Sequence, residues 1–353
     1  MRALQRTDLD NLDFAVAADR VLRLKVANEL RETDHVDALH VLAVDHETGL
    51  MVAPDASGGI HTIAALVRPV EASDFSGRDA LARVRTSDGW NWESTPTGRD
   101  SAKVSDIRDG IEVAFIRPTD ARHAHLVLDG NNTPWAAYLL SEFIEARGSS
   151  TDAWYDSLNT GKLDAAAMGA RLAGEAFLTV WVETPRGWMR QGLIWEAGPE
   201  IVKRQVLHLD LAQVRGDTVR VRLESVPSFW LIDQVALDYS TDRPVTVTQL
   251  ELVQALDRQG VDVRSRLAAV DDDYYVLETG DEAELHYSVP DVPKGFARSY
   301  LLRSTGWYRV HTSLAGQPDT ATLRTVSKEP LGISRVAVGR LNDALNSMAR
   351  GAK

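Results

Sequence analysis

Short segments in which apolar and polar residues alternate recur along most of the chain. A period of two places the apolar residues on one face of a β-strand, and Gly, Asn, Asp and Pro separate most of these segments, as turns require. Many short strands divided by turns are typical of antiparallel β-sandwiches. The pattern predicts strands at residues 21–26, 63–68, 111–116, 123–128, 177–182, 206–211, 218–223, 231–237, 247–252, 283–289 and 299–303.

A helical pattern interrupts the strands in the middle of the chain. Thr133 can cap a helix that has Pro134 in its first turn, and apolar residues follow at helical spacing until Gly148. A second stretch, rich in Ala, spans residues 162–176, and a third helix is predicted at 336–348. The sequence therefore predicts a mainly β fold with a helical insertion near 134–176 and a C-terminal helix.

One strand–loop–strand unit occurs twice. Residues 22–26 align with 219–223, and a second strand follows each copy, opened by Asp37 and by Asp233. Period-two geometry places each Asp on the apolar face of its strand, where a carboxylate is normally held by loop N–H groups. We interpret Asp37 and Asp233 as structural carboxylates that close a sandwich, with a metal or ligand contact as the alternative.

This unit resembles the final hairpin of galactose-binding-like jelly rolls, whose last strands read R-L-R … I-D-x-V-x-L. Longer stretches resemble the C-terminal β-rich region of large bacterial surface or secreted proteins that carry FG-GAP, tetratricopeptide or ASPIC/UnbV-type segments upstream. The resemblance implies a fold and an envelope or secreted setting, and it implies no reaction. The matching stretches are 28–34, 43–46, 229–233, 272–275, 280–285 and 306–308.

The chain of 353 residues is long enough for two or three domains. We predict tandem antiparallel β-sandwich domains of the jelly-roll or galactose-binding-like type: a β-domain with the first hairpin at 1–105, a jelly-roll sandwich with the helical insertion at 106–242, and a small β-domain plus C-terminal helix at 243–353. No stretch rich in Pro, Gly and Ser separates them, so the first and third can pack as one unit.

Charge and composition exclude several classes of partner. The net charge is −12 without a basic block, which argues against nucleic acid, and no apolar run approaches the ~18 residues of a membrane span. Zero Cys removes disulfides and thiolate chemistry. The first residues lack the apolar stretch of a signal peptide. Either the chain is part of a larger exported protein or assembly, or it works in the cytoplasm.

Tryptophans supply the candidate ligand surface. Trp90 and Trp92 are two apart, so on an extended segment they face the same side, where indoles can bind sugar rings. Trp188 follows a Pro-Arg-Gly turn and is a further candidate. The hypothesis is a carbohydrate platform of Trp90, Trp92 and Trp188; in the alternative, Trp90 and Trp92 fill the seam between the first two domains.

Two groups of residues could hold a metal. Asp271, Asp273 and Asp281 belong to the most acidic stretch and are candidate Ca²⁺ ligands, although the stretch lacks the D-x-[DN]-x-[DN]-G order and a hairpin with charged ends is the alternative. His123 and His125 flank Ala124 on a predicted strand and point the same way, but a metal site needs a third ligand. No other cofactor is predicted.

Signatures of enzymes are missing. The chain has no G-x-S-x-G, H-E-x-x-H, Walker A or G-x-G-x-x-G motif. The sequence therefore favours a non-catalytic binding or interaction module of a bacterial envelope or secreted assembly, with carbohydrate as the ligand. The alternatives are a structural subunit that self-associates or docks to a partner protein, and an enzyme that acts on glycans.

Overall fold

A computed structural model describes residues 4–94, 107–195, 197–198, 201–311 and 315–351. The chain divides into two compact units. The first unit combines Met1–Ala64 with Ser240–His311, and the second combines Ala65–Tyr239 with Thr312–Lys353. This division differs from three consecutive segments with boundaries at 105 and 242, because strands from distant parts of the chain pair within each unit.

Antiparallel strands dominate both units, and the predicted mainly β fold is confirmed. The strands are, in chain order, β1 (Arg6–Asn11), β2 (Val21–Ala27), β3 (Glu32–Glu47), β4 (Met51–Pro54), β5 (Ile60–Ile63), β6 (Glu71–Asp74), β7 (Trp92–Glu93), β8 (Asp109–Ile116), β9 (His123–Asn132), β10 (Leu178–Thr184), β11 (Gly187–Ile194), β12 (Lys203–Asp210), β13 (Thr218–Ser225), β14 (Trp230–Asp238), β15 (Thr246–Gln249), β16 (Glu251–Asp257), β17 (Tyr275–Leu277), β18 (Glu282–Ser288) and β19 (Phe296–Val310). The helices are α1 (Leu81–Val84), α2 (Pro134–Glu145), α3 (Thr151–Asn159), α4 (Ala165–Ala176), α5 (Thr320–Lys328) and α6 (Gly332–Gly351).

The first unit contains a sandwich of two larger sheets and a separate two-stranded sheet, β4–β5. One sheet has the order β16–β18–β2, and the other has β1–β19–β3–β15 with β17 also paired to β3. Apolar side chains from both sheets, such as Leu22, Val41 and Leu285, form one buried cluster, as face-to-face packing of sheets requires. The pairing of β3 with β19 along its whole length joins the two distant segments of this unit.

The second unit also contains two sheets, with the orders β11–β10–β13–β8–β6 and β12–β9–β14–β7. Thr133 caps α2 as predicted, since its hydroxyl accepts the N–H of Trp135 at 3.2 Å. The helical insertion is confirmed, and α5 and α6 pack with it. The C-terminal helix therefore belongs to the second unit, where the buried carboxylate of Glu175 accepts the N–H groups of Ile333 and Ser334 at the start of α6.

Two predicted strands differ from those observed. Residues 63–68 do not form a strand, because β5 ends at Ile63 and only Val67 makes an isolated bridge, to Leu237. The predicted strand 247–252 is broken at Leu250 into β15 and β16, which belong to different sheets. Within the described residues, none of the helices combines the length and the apolar character needed to cross a membrane.

The two units share one strand pattern in different chain orders. The sheet β16–β18–β2 of the first unit corresponds to β6–β8–β13 of the second. The strands β1–β19–β3–β17 of the first unit correspond to β12–β9–β14–β7 of the second. In the second unit the last three of these strands along the chain are β12, β13 and β14. Their equivalents in the first unit, β1, β2 and β3, come first along the chain. The first unit is therefore a circular permutation of the second, and the repeated sequence lies on the equivalent strands β2 and β13.

Candidate functional site

The two carboxylates of the sequence repeat lie at equivalent β-bulges. Asp37 interrupts the pairing of β3 with β19, and Asp233 interrupts the pairing of β14 with β9. A bulge takes one extra residue out of the ladder and can re-aim its side chain. Both side chains are buried, so each needs hydrogen-bond donors from elsewhere in its own unit.

Asp37 holds the loop that precedes β17. One carboxylate oxygen accepts the backbone N–H groups of Asp271 and Asp272, at 3.1 and 2.9 Å. The other accepts Nε2 of Gln5 at 2.8 Å. Loop N–H groups therefore satisfy this buried charge, in the way that the structural interpretation expects.

Asp233 likewise holds the loop that precedes β7, through one oxygen that accepts two successive loop N–H groups. Its Oδ1 accepts the N–H groups of Asp88 and Gly89, at 3.2 and 2.9 Å, and its Oδ2 accepts the hydroxyl of Ser87 at 2.9 Å. The equivalence of the two loops reinforces the permuted duplication. It also assigns both carboxylates to holding loops within their own units.

The three candidate tryptophans do not form one platform. Trp90 is 52% exposed and lies under the guanidinium of Arg83, 4.0 Å from the ring centre. Trp92 is only 5% exposed, because it lies on β7 while Trp90 belongs to the loop, so the alternation of an extended segment does not relate them. Trp188 lies on β11 in the other sheet, half-buried, with the guanidinium of Arg222 at 4.1 Å.

The acidic stretch is organised by its own backbone. Asp271 accepts the N–H of Asp273 at 3.0 Å, and Asp281 accepts the N–H of Glu278 at 2.9 Å. In the described part of the chain, Asp271, Asp273 and Asp281 are not gathered within 4.8 Å of one another. A calcium site there stays a prediction, and this arrangement does not favour it.

A cleft of about 470 Å³ opens in the first unit. It lies where Leu250 separates β15 from β16, beside β3 and the 3-10 turn Arg264–Leu267. Its buried base is apolar, formed by Leu39, Leu250, Leu267 and Tyr287. Its rim is polar, formed by His40, Gln249, Glu251, Asp262, Arg264 and Ser265. Sequence reasoning missed this site because its residues come from separate segments that only the fold brings together.

An ion pair is held in place on the rim of this cleft. Arg264 donates from Nη2 to Asp262 Oδ2 at 2.7 Å and from Nη1 to the carbonyl of Val253 at 3.1 Å. The hydrogen bond from Arg264 lowers the pKa of Asp262, so the carboxylate stays ionised. The equivalent turn of the second unit has Asp79 in place of Asp262 and Leu81 in place of Arg264. Asp79 accepts the backbone N–H of Leu81, just as Asp262 accepts the backbone N–H of Arg264. At this position of the turn, therefore, only the first unit carries a guanidinium group.

Comparisons with known proteins identify no family. No family model matches the chain, and no curated protein matches it. The solved structures that match include a GH31 alpha-xylosidase from Xanthomonas citri, with 11% identity and a TM-score of 0.22 over 84% of this chain and 22% of that chain. The chain thus spans less than a quarter of that enzyme, and a likeness of this size carries no argument about fold or function.

Proposed function

We propose that this protein is a non-catalytic carbohydrate-binding module and that the cleft of the first unit holds the ligand. The observation that carries the proposal is the cleft itself. Its volume of about 470 Å³ lies within the range of small-ligand sites, which are concave, apolar at the base and equipped with a few placed polar groups. The resemblance to bacterial surface and secreted proteins supports an envelope or secreted assembly as its setting.

The cleft suits a ligand that has both an apolar face and many hydroxyl groups. A sugar ring places C–H groups on its faces and hydroxyls at its edge, and each hydroxyl both donates and accepts hydrogen bonds. On the rim, Glu251 supplies acceptors, Gln249 supplies both kinds of group, and Arg264 supplies donors. Because Asp262 and the Val253 carbonyl already hold the guanidinium, ordering it on binding costs little entropy.

One carboxylate on the rim of the cleft, Asp262, is unsuited to act as the acid of a glycosidase. A glycosidase needs one carboxyl group with a raised pKa that donates a proton to the leaving group. The pKa of Asp262 is shifted the opposite way by its hydrogen bond from Arg264, so this carboxylate is not a proton donor near neutral pH. Its role in the proposal is to position Arg264.

A glycan array of the full chain, followed by calorimetry on the glycans that bind, tests the proposal. We expect Arg264→Ala and Gln249→Ala to weaken binding roughly tenfold or more, since each removes hydrogen bonds to the bound ligand. The matched control is Arg83→Ala, which removes an arginine near the equivalent turn of the second unit. A flat array from folded protein, or unchanged binding by Arg264→Ala, would contradict the proposal.

The variant Trp90→Ala distinguishes binding in the cleft from binding to the exposed indole of Trp90. If carbohydrate binds in the cleft, this variant retains the affinity of the unchanged protein. Loss of binding in Trp90→Ala with full binding in Arg264→Ala would move the site to the second unit and remove the cleft from the proposal.

A second candidate function is self-association, and one loop favours it. Phe14 is 99% exposed and Val16 is 81% exposed, both between β1 and β2, and apolar side chains exposed together are typical of docking surfaces. The proposed occupant is a second copy of this chain. Light scattering with size exclusion should find a dimer that Phe14→Ser disrupts and Val276→Ser, on β17, leaves intact. A monomer at every concentration would refute this candidate.

A further inference from the structure

Three histidines of the second unit lie on one face of the sheet β12–β9–β14–β7. His123 and His125 are two apart on β9, so their side chains share a face. On the edge strand β12, His208 pairs directly with His125, and Asp210 pairs directly with His123. Residues directly opposite in an antiparallel pair also share a face. The register therefore supplies the third histidine that the sequence pattern lacks, with a carboxylate at the fourth corner.

The His208 ring lies near both of the other histidine rings. The ring centre of His208 lies 6.0 Å from that of His123 and 5.8 Å from that of His125. Three imidazoles on a tetrahedral Zn²⁺, with Zn–N bonds of about 2.0–2.1 Å, have ring centres about 5 Å apart. The ligand nitrogens of the three are not all within 4.8 Å of one another, so binding requires side-chain rotations that bring them toward a common point.

The three histidines differ in burial, so one ring is fixed by its surroundings and another can rotate. His125 is 5% exposed and supplies a fixed ring. His208 is exposed and His123 is half-buried, so a cation can approach from solvent and the His208 ring can turn toward it. Asp210 accepts the N–H of Ala212 at 2.9 Å, which restrains its carboxylate beside the histidines.

We propose that His123, His125 and His208, with Asp210 as fourth ligand, bind a late first-row divalent cation such as Zn²⁺. Imidazole nitrogen suits Zn²⁺, Cu²⁺, Ni²⁺ and Co²⁺, whereas Ca²⁺ and Mg²⁺ prefer all-oxygen sites. The bound ion would tie the edge strand β12 to the central strand β9. This site is separate from the proposed carbohydrate cleft, which lies in the first unit.

The test titrates the full chain, stripped with chelator, with Zn²⁺ by calorimetry and with Co²⁺ by visible absorption. We expect one ion per chain, the intense absorption bands of tetrahedral Co²⁺, and a rise of several degrees in the Tm when Zn²⁺ is in excess of its Kd. Protons compete for imidazole, so affinity should fall steeply as the pH is lowered toward 5.

Variants assign the ion to these ligands. His208→Ala changes an exposed side chain and should weaken Zn²⁺ binding at least tenfold without unfolding the protein, as should His123→Ala. The matched control is His286→Ala on β18 of the first unit, which should bind as the unchanged protein does. Equal binding by His208→Ala, or no saturable binding of either ion near pH 7.5, would overturn the proposal and leave the three histidines as an ordinary polar face.

Discussion

At the scale of single residues, Glu32 and Asp34 form a carboxyl pair whose titration affects stability. They are two apart on β3, hydrogen-bonded to each other. Burial, the charge of Asp34 and the hydrogen bond between them raise the pKa of Glu32 from 4.5 to about 7. Between these values the folded state keeps a proton that the unfolded chain releases, so the free energy of unfolding falls as the pH rises through this window.

Glu32→Gln should remove the contribution of Glu32 to this pH dependence, because a neutral amide cannot release a proton; the contribution of Asp34, whose pKa burial also raises, remains. The Tm of the unchanged protein should fall between pH 5 and pH 7.5 relative to that of the variant. Thermal unfolding monitored by circular dichroism across this range measures the difference. Glu29→Gln, at an exposed position in the preceding loop, should keep the slope of the unchanged protein. Parallel curves for Glu32→Gln and the unchanged protein would contradict the assignment.

At the scale of elements, a glycine faces each bulge from the neighbouring strand. A Cβ on Gly306 of β19 would lie 2.5 Å from the carbonyl oxygen of His35, and a Cβ on Gly130 of β9 would lie 2.8 Å from that of Leu231. Each carbonyl belongs to the residue two before the bulged aspartate. The close approach of the two backbones at the bulge therefore requires glycine in both units.

Gly306→Ala and Gly130→Ala should each destabilise the fold by about 1–3 kcal/mol, because the backbone must move to admit a methyl group. Gly174→Ala is the matched control. Gly174 lies in α4 with nothing within 4 Å of an added Cβ, so alanine there should stabilise by about 0.5–1 kcal/mol. Denaturant unfolding measures all three variants, and a Gly306→Ala protein as stable as the original would refute the argument.

At the scale of the whole molecule, the two units should respond separately to loss of their bulged aspartates. Asp37→Ala removes the acceptor of two loop N–H groups in the first unit, and Asp233→Ala does so in the second. Hydrogen bonds to a charged acceptor contribute about 1.5–3 kcal/mol. Hydrogen exchange should accelerate in β3 and β17 for Asp37→Ala, and in β14 and β7 for Asp233→Ala.

Asp273→Ala is the control for this comparison. Asp273 is exposed on the same loop of the first unit and does not accept the loop N–H groups that Asp37 holds, so exchange should stay as in the unchanged protein. Equal acceleration of exchange across both units in either variant would show that the two do not behave as separate cooperative bodies.

The strands, the helix cap and the repeat could be predicted from the sequence because each depends on neighbours along the chain. Alternation at period two marks a strand such as β13 wherever it pairs, and Thr133 caps α2 through a bond to a residue two positions away. The repeat could be recognised for the same reason. Asp37 and Asp233 each follow a strand with the same alternation, and the number of residues between strand and aspartate is similar in the two copies.

Partners across the sheets were decided only by the tertiary structure. The pairing of β12 with β9 places His208 opposite His125. The break between β15 and β16 at Leu250 forms the cleft whose rim includes Arg264. Local alternation cannot specify such pairings, because register depends on residues far apart in sequence and one bulge reverses which face a side chain takes. For the same reason Trp92 is buried while Trp90 is exposed. Likewise β1 pairs with β19 although most of the chain lies between them in sequence.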